Sequence, residues 1–197
     1  FARGQKYMTA VDVDDPRFTE YSYVYLPDEN FKDYCLDHFD TNGDGKISLA
    51  EAGAVTLLNV SALSIASLEG IQHFNHASRI IVAMNRLTYL DVGQNDALTI
   101  LNCSNNQLTS LQLAGSPALT HLYCNDNQLT SLQLAGSPAL THLYCNDNQL
   151  TALDVSQNTS LQVLDCSGNP GLDTLFLAET HDPAEFNYDA HTVVVSS

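Results

Sequence analysis

An uninterrupted repeat of 21 residues constrains the fold of this chain more than any other feature. The stretch "LTSLQLAGSPALTHLYCNDNQ" begins at Leu108 and begins again, letter for letter, at Leu129. The same interval continues in both directions with related letters. Cysteine recurs at Cys103, Cys124, Cys145 and Cys166, and asparagine recurs at Asn85, Asn106, Asn127, Asn148 and Asn169. A fixed short period in five copies predicts a solenoid, in which each coil buries its apolar side only against its neighbours.

The letters within one coil predict its local structure. In "LTHLYCNDNQL" the apolar residues alternate with polar ones around Tyr123, as a short strand with one buried face requires. The asparagine just past this strand is placed to bond backbone groups of neighbouring coils. The second half, "LTSLQLAGSP", is also alternating and ends in turn residues. We therefore predict short parallel strands joined by extended return arms.

These columns are those of a leucine-rich repeat. The stretches "LTYLDVGQNDALTILNCSNNQ" and "LTALDVSQNTSLQVLDCSGNP" resemble the cysteine-bearing repeats of internalin-type bacterial surface proteins. The stretch "SIASLEGIQHFNHASRIIVAMNRL" resembles their opening coil. The resemblance implies an α+β chain with an N-terminal cap over residues 1–61, a leucine-rich repeat solenoid of about five coils over 62–178, and a C-terminal cap strand over 179–197.

A second motif precedes the repeats. Residues 40–51 read "DTNGDGKISLAE" and match every position of an EF-hand calcium loop, with Gly45 at the sharp turn and Ile47 at the apolar position. The predicted oxygen ligands are Asp40, Asn42, Asp44, the carbonyl of Lys46, Ser48 and Glu51. The alternative is an acidic, glycine-rich turn without metal. We predict a helix before the loop, capped by Asp28, and an exiting helix within "SLAEAGAVTLLNV".

The loop is single, whereas calcium sensors pair two of them. It resembles one half of a dockerin, a calcium-binding module that docks on cohesins, but no second half is visible. We therefore expect calcium as a cofactor that stabilises the N-terminal cap by mass action. A calcium-dependent assembly module remains the alternative.

The four periodic cysteines allow three interpretations. Neighbouring strands lie ~4.8 Å apart, which permits a disulfide by distance, but in-register parallel neighbours project their Cβ atoms side by side. A metal needs converging ligands, whereas four thiols in a line end ~14 Å apart. We interpret them, and Cys35, as buried reduced cysteines that pack as small apolar groups.

Outward positions on the strands form the predicted concave face. The candidate ligand-binding residues are His121, Tyr123, Asn125, His142, Tyr144, Asn146 and Asp165. Exposed tyrosine beside asparagine and aspartate suits recognition of a protein or a glycan. Two alternatives stay open: His121 and His142 hold a metal, or the duplicated coils have no dedicated ligand.

Charge and the absence of catalytic motifs narrow the function. With 23 acidic residues against 7 basic ones the net charge is -16, which repels nucleic acid and anionic headgroups. No apolar run approaches the ~18 residues of a membrane span. We find no nucleophile elbow, phosphate loop or zinc-protease motif, and predict no enzyme.

The resemblance thus implies a surface or secreted bacterial binding module, and the start at Phe1 rather than at methionine fits a mature or trimmed chain from which a signal peptide was removed. Its expected partner is a protein or a glycan. A structural spacer in a larger surface protein is a further alternative.

Overall fold

The structure is a computed structural model that describes residues 23–113, 116–179 and 183–196. Within these residues lie two α-helices, α1 (Glu29–Phe39) and α2 (Leu49–Ala54), and a 3-10 helix at Ile71–His73. The described strands are β1 (Leu57–Asn59), β2 (Arg79–Ile81), β3 (Tyr89–Asp91), β4 (Ile100–Asn102), β5 (Ser110–Gln112), β6 (His121–Tyr123), β7 (His142–Tyr144), β8 (Ala152–Asp154), β9 (Val163–Asp165), β10 (Thr174–Leu177), β11 (Glu185–Asn187) and β12 (Val193–Ser196). Residues 1–22, the start of the predicted N-terminal cap, lie outside the described part of the chain.

One seven-stranded sheet, here called the main sheet, carries one strand from every coil. Its order is β1-β2-β4-β6-β7-β9-β11, and every neighbouring pair is parallel. The register aligns equivalent positions of successive coils, so that Leu122 lies beside Leu143. This architecture confirms the predicted solenoid with a small N-terminal helical region.

The return arms are extended, as predicted, and pair into two smaller sheets. Strands β3 and β5 form one, and β8, β10 and β12 form the other. In the described part of the chain the arm between them, residues 131–134, forms no strand. The return side therefore has less ladder pairing than the main sheet.

The core lies between the main sheet and the return arms. In the main-sheet strands from β1 to β9 the middle residue is buried and the two flanking residues are more exposed, which is the alternation that a half-buried strand requires. Leucine columns from both halves of the coil meet there with the buried cysteines. Because every coil repeats the same columns, the core is continuous from end to end.

The N-terminal helices close the first coil. Phe31 of α1 is fully buried and its ring lies 5.8 Å from that of Phe74. The side chain of Asp28 caps α1 through Phe31 N at 3.1 Å, as predicted, and its other oxygen accepts from the backbone of Ala66 at 2.8 Å. At Gly70, φ is +101° and a Cβ atom would lie 2.6 Å from a backbone oxygen of the cap, so only glycine fits this approach.

The exiting helix lies within the predicted segment and occupies only its first half. Helix α2 ends at Ala54, and the following residues Leu57–Asn59 form β1 instead, paired with β2. If the helix continued past Ala54, the edge of β2 would lack hydrogen-bond partners. As a strand, Leu57–Asn59 pairs with this edge, and Leu58 is fully buried in the core. The main sheet thus begins before residue 62, where the repeat pattern had placed the start of the solenoid.

The tail continues both sides of the solenoid. Strand β11 pairs with β9, and β12 pairs with β10. Phe186 takes the middle position beside Leu164, and it packs against the core while staying partly exposed. The segment 179–197, predicted as a single cap strand, therefore provides two strands among its described residues.

Candidate functional site

The two verbatim coils place four aromatic side chains on the outer face of the main sheet, the predicted concave face. Strands β6 and β7 pair in register, so His121 lies beside His142 and Tyr123 beside Tyr144. The middle residue of each strand is a buried leucine, which directs the flanking side chains outward. All four aromatic side chains are half-buried. We call this group the aromatic platform.

The rings of the aromatic platform are stacked. The imidazole centroids of His121 and His142 lie 4.3 Å apart with planes 7° from parallel. The rings of Tyr123 and Tyr144 lie 5.0 Å apart, 8° from parallel. Because the spacing of strands in a sheet is close to the spacing of stacked rings, an identical residue on the neighbouring coil produces the stack directly. The stacking therefore orders these side chains before any ligand arrives.

Each histidine is held by the threonine before it. Thr120 Oγ1 lies 2.9 Å from His121 Nδ1, and Thr141 Oγ1 lies 2.9 Å from His142 Nδ1. Burial lowers the pKa of His121 below its ordinary value, and the neighbouring His142 lowers it further. His121 is therefore the neutral imidazole at neutral pH.

The other predicted ligand residues lie around the aromatic platform. Asn125 and Asn146 sit past the strands, where each amide donates at 2.6 Å to the next residue, Asp126 or Asp147. Asp165 lies beside Tyr144 in register and accepts from the Ser167 hydroxyl at 2.6 Å. The seven residues thus lie along one sheet face, with the two asparagines at its edge. The predicted histidine metal site lacks a third ligand, since no group of three metal-binding side chains occurs among the described residues.

One residue on this face was missed by the sequence analysis. Glu185 begins β11, beside Val163, and it is exposed. Burial is the main cause of the raised pKa of Tyr144, and the nearby Tyr123, Glu185 and Asp165 raise that pKa further. The signal was present: one residue inserted before Leu172 lengthens the period by one, and "EFN" then aligns with "VLD" of β9.

The periodic asparagines form a hydrogen-bonded ladder. Asn148 Nδ2 donates to the carbonyls of Cys124 at 3.0 Å and Cys145 at 3.2 Å, and its Oδ1 accepts from Leu129 N at 2.9 Å. The same pattern joins successive coils at Asn106, Asn127 and Asn169. Asn85 repeats it with the carbonyls of Val60 and Val82.

The four periodic cysteines and Cys35 are buried and free. Each periodic cysteine donates its backbone N–H to the next coil, as Cys124 does to the carbonyl of Tyr144 at 2.8 Å. Burial raises the pKa of Cys103 and Cys166 to about 12, and it raises the pKa of Cys124 and Cys145 well above the ordinary value. The thiols are therefore protonated packing groups rather than nucleophiles.

The predicted calcium loop has the shape of a tight oxygen-lined turn. Gly43 and Gly45 adopt φ of +71° and +77°. Asp40 accepts the backbone N–H of Gly43 at 2.7 Å and of Gly45 at 2.9 Å, and Asp44 accepts from Lys46 N at 2.9 Å. Asp40 also accepts from Asp44 N, and Asp44 also accepts from the Tyr23 hydroxyl and the Asn42 amide, so each carboxylate accepts three hydrogen bonds and keeps about one further acceptor site. The donor chemistry at this end of the loop therefore fits a hard cation.

The closing end of the loop is occupied by its own hydrogen bonds. Glu51 Oε1 accepts from the backbone and the hydroxyl of Thr41, both at 2.8 Å. Its Oε2 accepts from Ser48 N at 2.9 Å and Ser48 Oγ at 2.8 Å, completing a capping box for α2. Four bonds fill the acceptor sites of a carboxylate. Asp40, Asp44 and Glu51 accordingly form no metal-holding cluster in this structure. Glu51 can become a ligand only by giving up some of these bonds.

Comparison with known proteins identifies the repeat. A family model described as Leucine Rich repeats (2 copies) matches residues 96–136 and 138–179. The chain is similar to the functional domain of InlJ from Listeria monocytogenes, a structure described as including a cysteine ladder. The two are 33% identical with a TM-score of 0.68, over 82% of this chain and 37% of the InlJ chain.

Two further structures share the fold. A leucine-rich repeat protein of Leptospira interrogans is 19% identical with a TM-score of 0.54, over 66% of this chain and 38% of that one. Internalin C2 from Listeria monocytogenes is 18% identical with a TM-score of 0.50, over 87% of this chain and 94% of that one. The chain thus spans less than two thirds of the InlJ and Leptospira structures. No curated protein matches it. Of the helices described, none has the length and apolar character to cross a membrane.

Proposed function

This chain is a leucine-rich repeat protein of internalin-like architecture, and on that premise we propose that it is a binding module that holds a protein on the outer face of its main sheet. The observation that carries this proposal is the aromatic platform. Stacked, half-buried tyrosines offer a large contact area at a low cost in side-chain entropy, because their neighbours already fix them. Tyrosine is also enriched among the residues that dominate binding energy in interfaces.

A binding screen with matched variants tests this function. The native chain is screened against proteins and glycans alongside a Tyr123→Ala/Tyr144→Ala double variant and a Tyr89→Ala control. Tyr89 lies on return strand β3 and is 53% exposed, so the control removes an exposed tyrosine from the other side of the coil. We expect protein ligands that bind the native chain and the control but not the double variant. If every ligand found binds the double variant as well, the platform is not the site.

We further propose that the loop at residues 40–51 binds calcium as a structural cation. Asp40, Asn42 and Asp44 would hold the ion together with the Lys46 carbonyl, while Ser48 and Glu51 would join when their mutual hydrogen bonds open. Bound calcium would supply positive charge that offsets the repulsion between these carboxylates. A ligand present at about a hundred times its dissociation constant stabilises the folded chain by about 2.7 kcal/mol.

Terbium luminescence provides a direct test of this site. Tyr23 donates its hydroxyl to Asp44 Oδ2 at 3.1 Å, so its ring is placed to sensitise a lanthanide in the loop. We expect terbium emission that calcium displaces, and a rise in melting temperature with calcium. Asp44→Ala should abolish both, whereas Asp37→Ala, an exposed aspartate at the end of α1, should abolish neither. Emission that survives Asp44→Ala would place the cation elsewhere.

The same reagents separate the alternative functions. If chelation abolishes partner capture while the fold persists, the loop itself carries the contact and the chain is a calcium-dependent assembly module. If no protein or glycan binds, a spacer within a larger surface protein becomes the better description. By its similarity to internalins we also propose a secreted or surface location in a bacterium.

A further inference from the structure

The two stacked histidines expose hydrogen-bond acceptors. The hydroxyl of Thr120 donates to the carbonyl of Thr99 at 3.0 Å, and that of Thr141 donates to the carbonyl of Thr120 at 3.0 Å. A hydroxyl has one proton, so in its 2.9 Å contact with the neighbouring imidazole each threonine oxygen accepts. When the threonine hydroxyl donates to the carbonyl in this way, both histidines carry their proton on Nδ1. Their Nε2 atoms remain acceptors, side by side on adjacent strands.

Carboxylates extend this acceptor surface toward the C-terminal end of the main sheet. Asp165 is the next residue in register after Tyr144, and Glu185 lies beside Val163, which itself pairs with His142. From β4 to β11 the outward positions of the main-sheet strands hold no lysine or arginine. Arg79 on β2 lies two strands away from the first histidine. The face thus offers acceptors and negative charge.

The tyrosine rings add a second property suited to cations. Tyr144 lies beside Asp165 in register, so the ring face that it turns away from Tyr123 is on the side of this carboxylate. The negative potential of an aromatic face attracts ammonium and guanidinium groups. An arginine or lysine side chain has only donors and cannot itself accept a hydrogen bond. An ammonium or guanidinium group can therefore donate hydrogen bonds to imidazole Nε2 and carboxylate oxygens while it lies against a tyrosine ring.

We propose that the occupant of the aromatic platform is a basic polypeptide segment, whose arginine or lysine side chains lie against Tyr123 and Tyr144 and are bonded by Asp165, Glu185 and the histidine Nε2 atoms. This inference rests on the proposed binding function and adds the chemistry of the partner. A neutral glycan can donate hydroxyl hydrogen bonds to the two carboxylates but does not offset their charge, and an acidic glycan is repelled by them. The positive charge of the partner also matches the net charge of -16 on this chain.

Acid weakens this binding. Protonation of His121 and His142 at Nε2 converts both acceptors into donors and adds positive charge beside the bound cation. The hydrogen bonds from Nδ1–H to threonine survive protonation at Nε2, so we expect this protonation to leave the fold unchanged. The other ionisable groups on the two histidine strands are Tyr123 and Tyr144. On the other main-sheet strands from β2 to β11 they are Arg79, Asp165 and Glu185.

Fluorescence anisotropy with labelled peptides tests the proposal. The probes are an oligo-arginine peptide, an oligo-glutamate peptide and a neutral glycine-serine peptide of equal length. Asp165→Asn is compared with Asp154→Asn, since Asp154 on β8 of the return side also accepts a backbone N–H two residues ahead, at 2.9 Å. Both variants remove one charge, so they separate a local contact from general attraction to an acidic chain.

We expect oligo-arginine to bind best and to weaken about two- to fivefold with Asp165→Asn, the range for one exposed ion pair, and to keep its affinity with Asp154→Asn. Added salt should reduce this difference. Equal weakening in both variants, or better binding of the neutral peptide, overturns the proposal.

A pH series supplies the second readout. On acidification from neutral pH the native chain should lose more affinity for oligo-arginine than a His121→Gln/His142→Gln variant does. Nitrogen NMR of the native imidazoles should show the proton on Nδ1. An equal loss in the glutamine variant, or a proton on Nε2, overturns the assigned role of the histidines.

The outcomes also separate this inference from the proposed function. A protein partner that is lost with Tyr123→Ala/Tyr144→Ala but is insensitive to Asp165→Asn overturns the basic-segment inference and leaves the binding function intact. A glycan that is lost with the tyrosine double variant but is insensitive to Asp165→Asn also overturns the basic-segment inference. Partner binding that is indifferent to the tyrosine pair contradicts both.

Discussion

The amide of Asn148 donates to the carbonyl of Cys124, one coil back, at 3.0 Å. The same amide holds the carbonyl of Cys145 in its own coil, while its oxygen accepts from Leu129 N at 2.9 Å. With a further bond to the carbonyl of Asn146 at 3.2 Å, one buried side chain joins four backbone groups across two coils, at the turn where the strand ladder ends. The asparagine column therefore stabilises the stacking of coils as directly as the leucine columns do.

Replacing Asn148 with alanine should destabilise the chain strongly. The substitution leaves buried backbone groups without partners, and each such group costs about 1 to 3 kcal/mol. We expect a loss of about 3 kcal/mol in the free energy of unfolding, measured by urea denaturation. Asn146→Ala is the control, because Asn146 is only half-buried and donates to a neighbouring carboxylate. A loss as large in the control would mean that burial of the amide is not the cause.

A second column of polar residues lies on the return side, and a substitution in this column should raise the stability of the chain. Asn158 Nδ2 donates to the carbonyls of Leu134 at 3.1 Å and Ser137 at 2.8 Å in the preceding coil. The verbatim coils have serine at this position, and the buried hydroxyls of Ser116 and Ser137 have no partner among the described residues. Ser137→Asn should restore the bridge and stabilise the chain by about 1 kcal/mol.

The reverse substitution is the matched control for this column. Asn158→Ser should cost a similar amount, since it removes the two bonds that Ser137→Asn is meant to add. Both are measured by thermal unfolding. If Ser137→Asn destabilises, the space beside the serine is too small for an amide and the column is limited by packing.

The cysteine column should be unreactive in the folded chain. Burial raises the pKa of Cys103 to about 12, and thiol reagents attack the thiolate. We expect almost no reaction of the native protein with a thiol reagent at mildly alkaline pH. In denaturant all five cysteines of the sequence should react. A shortfall in denaturant would show a disulfide, and rapid native reaction would show that the coils open.

The carboxylate of Glu51 should make stability depend on pH in acid. Hydrogen bonds from Ser48, above all its backbone N–H, and from Thr41 lower the pKa of Glu51 to about 2, below its ordinary value near 4.3. Its contribution to stability is therefore complete above the ordinary pKa and disappears as the pH falls through the folded pKa. Glu51→Gln should lower the melting temperature near neutral pH, with a difference from the native chain that shrinks toward about pH 2.

The exposed Glu69 provides the control for this titration. Glu69→Gln should follow the native pH profile. The measurement is made without calcium, so that loss of a cation ligand does not contribute. A constant difference between Glu51→Gln and the native chain at every pH would mean that the carboxylate charge is not the stabilising feature.

Much of the site could be predicted because the period alone fixes which positions are equivalent. Identical letters on adjacent coils place His121 beside His142 and Tyr123 beside Tyr144, and the alternation directs them outward. The role of Glu185 could not be predicted from the regular period, since an inserted residue shifts its register. Nor does the sequence show which hydrogen bonds Glu51 makes. The same "DGKISLAE" letters suit either a calcium ligand or a helix-capping carboxylate.

The sequence by itself determined the solenoid, its inward columns of leucine, cysteine and asparagine, and the outward aromatic platform, because a strict repeat forces each coil to bury the same side. The tertiary structure decided where the solenoid begins and ends. Leu57–Asn59 and Glu185–Asn187 fall outside the regular 21-residue register, yet they form strands. An existing sheet edge presents unpaired backbone groups, and any extended segment brought beside it gains their hydrogen bonds.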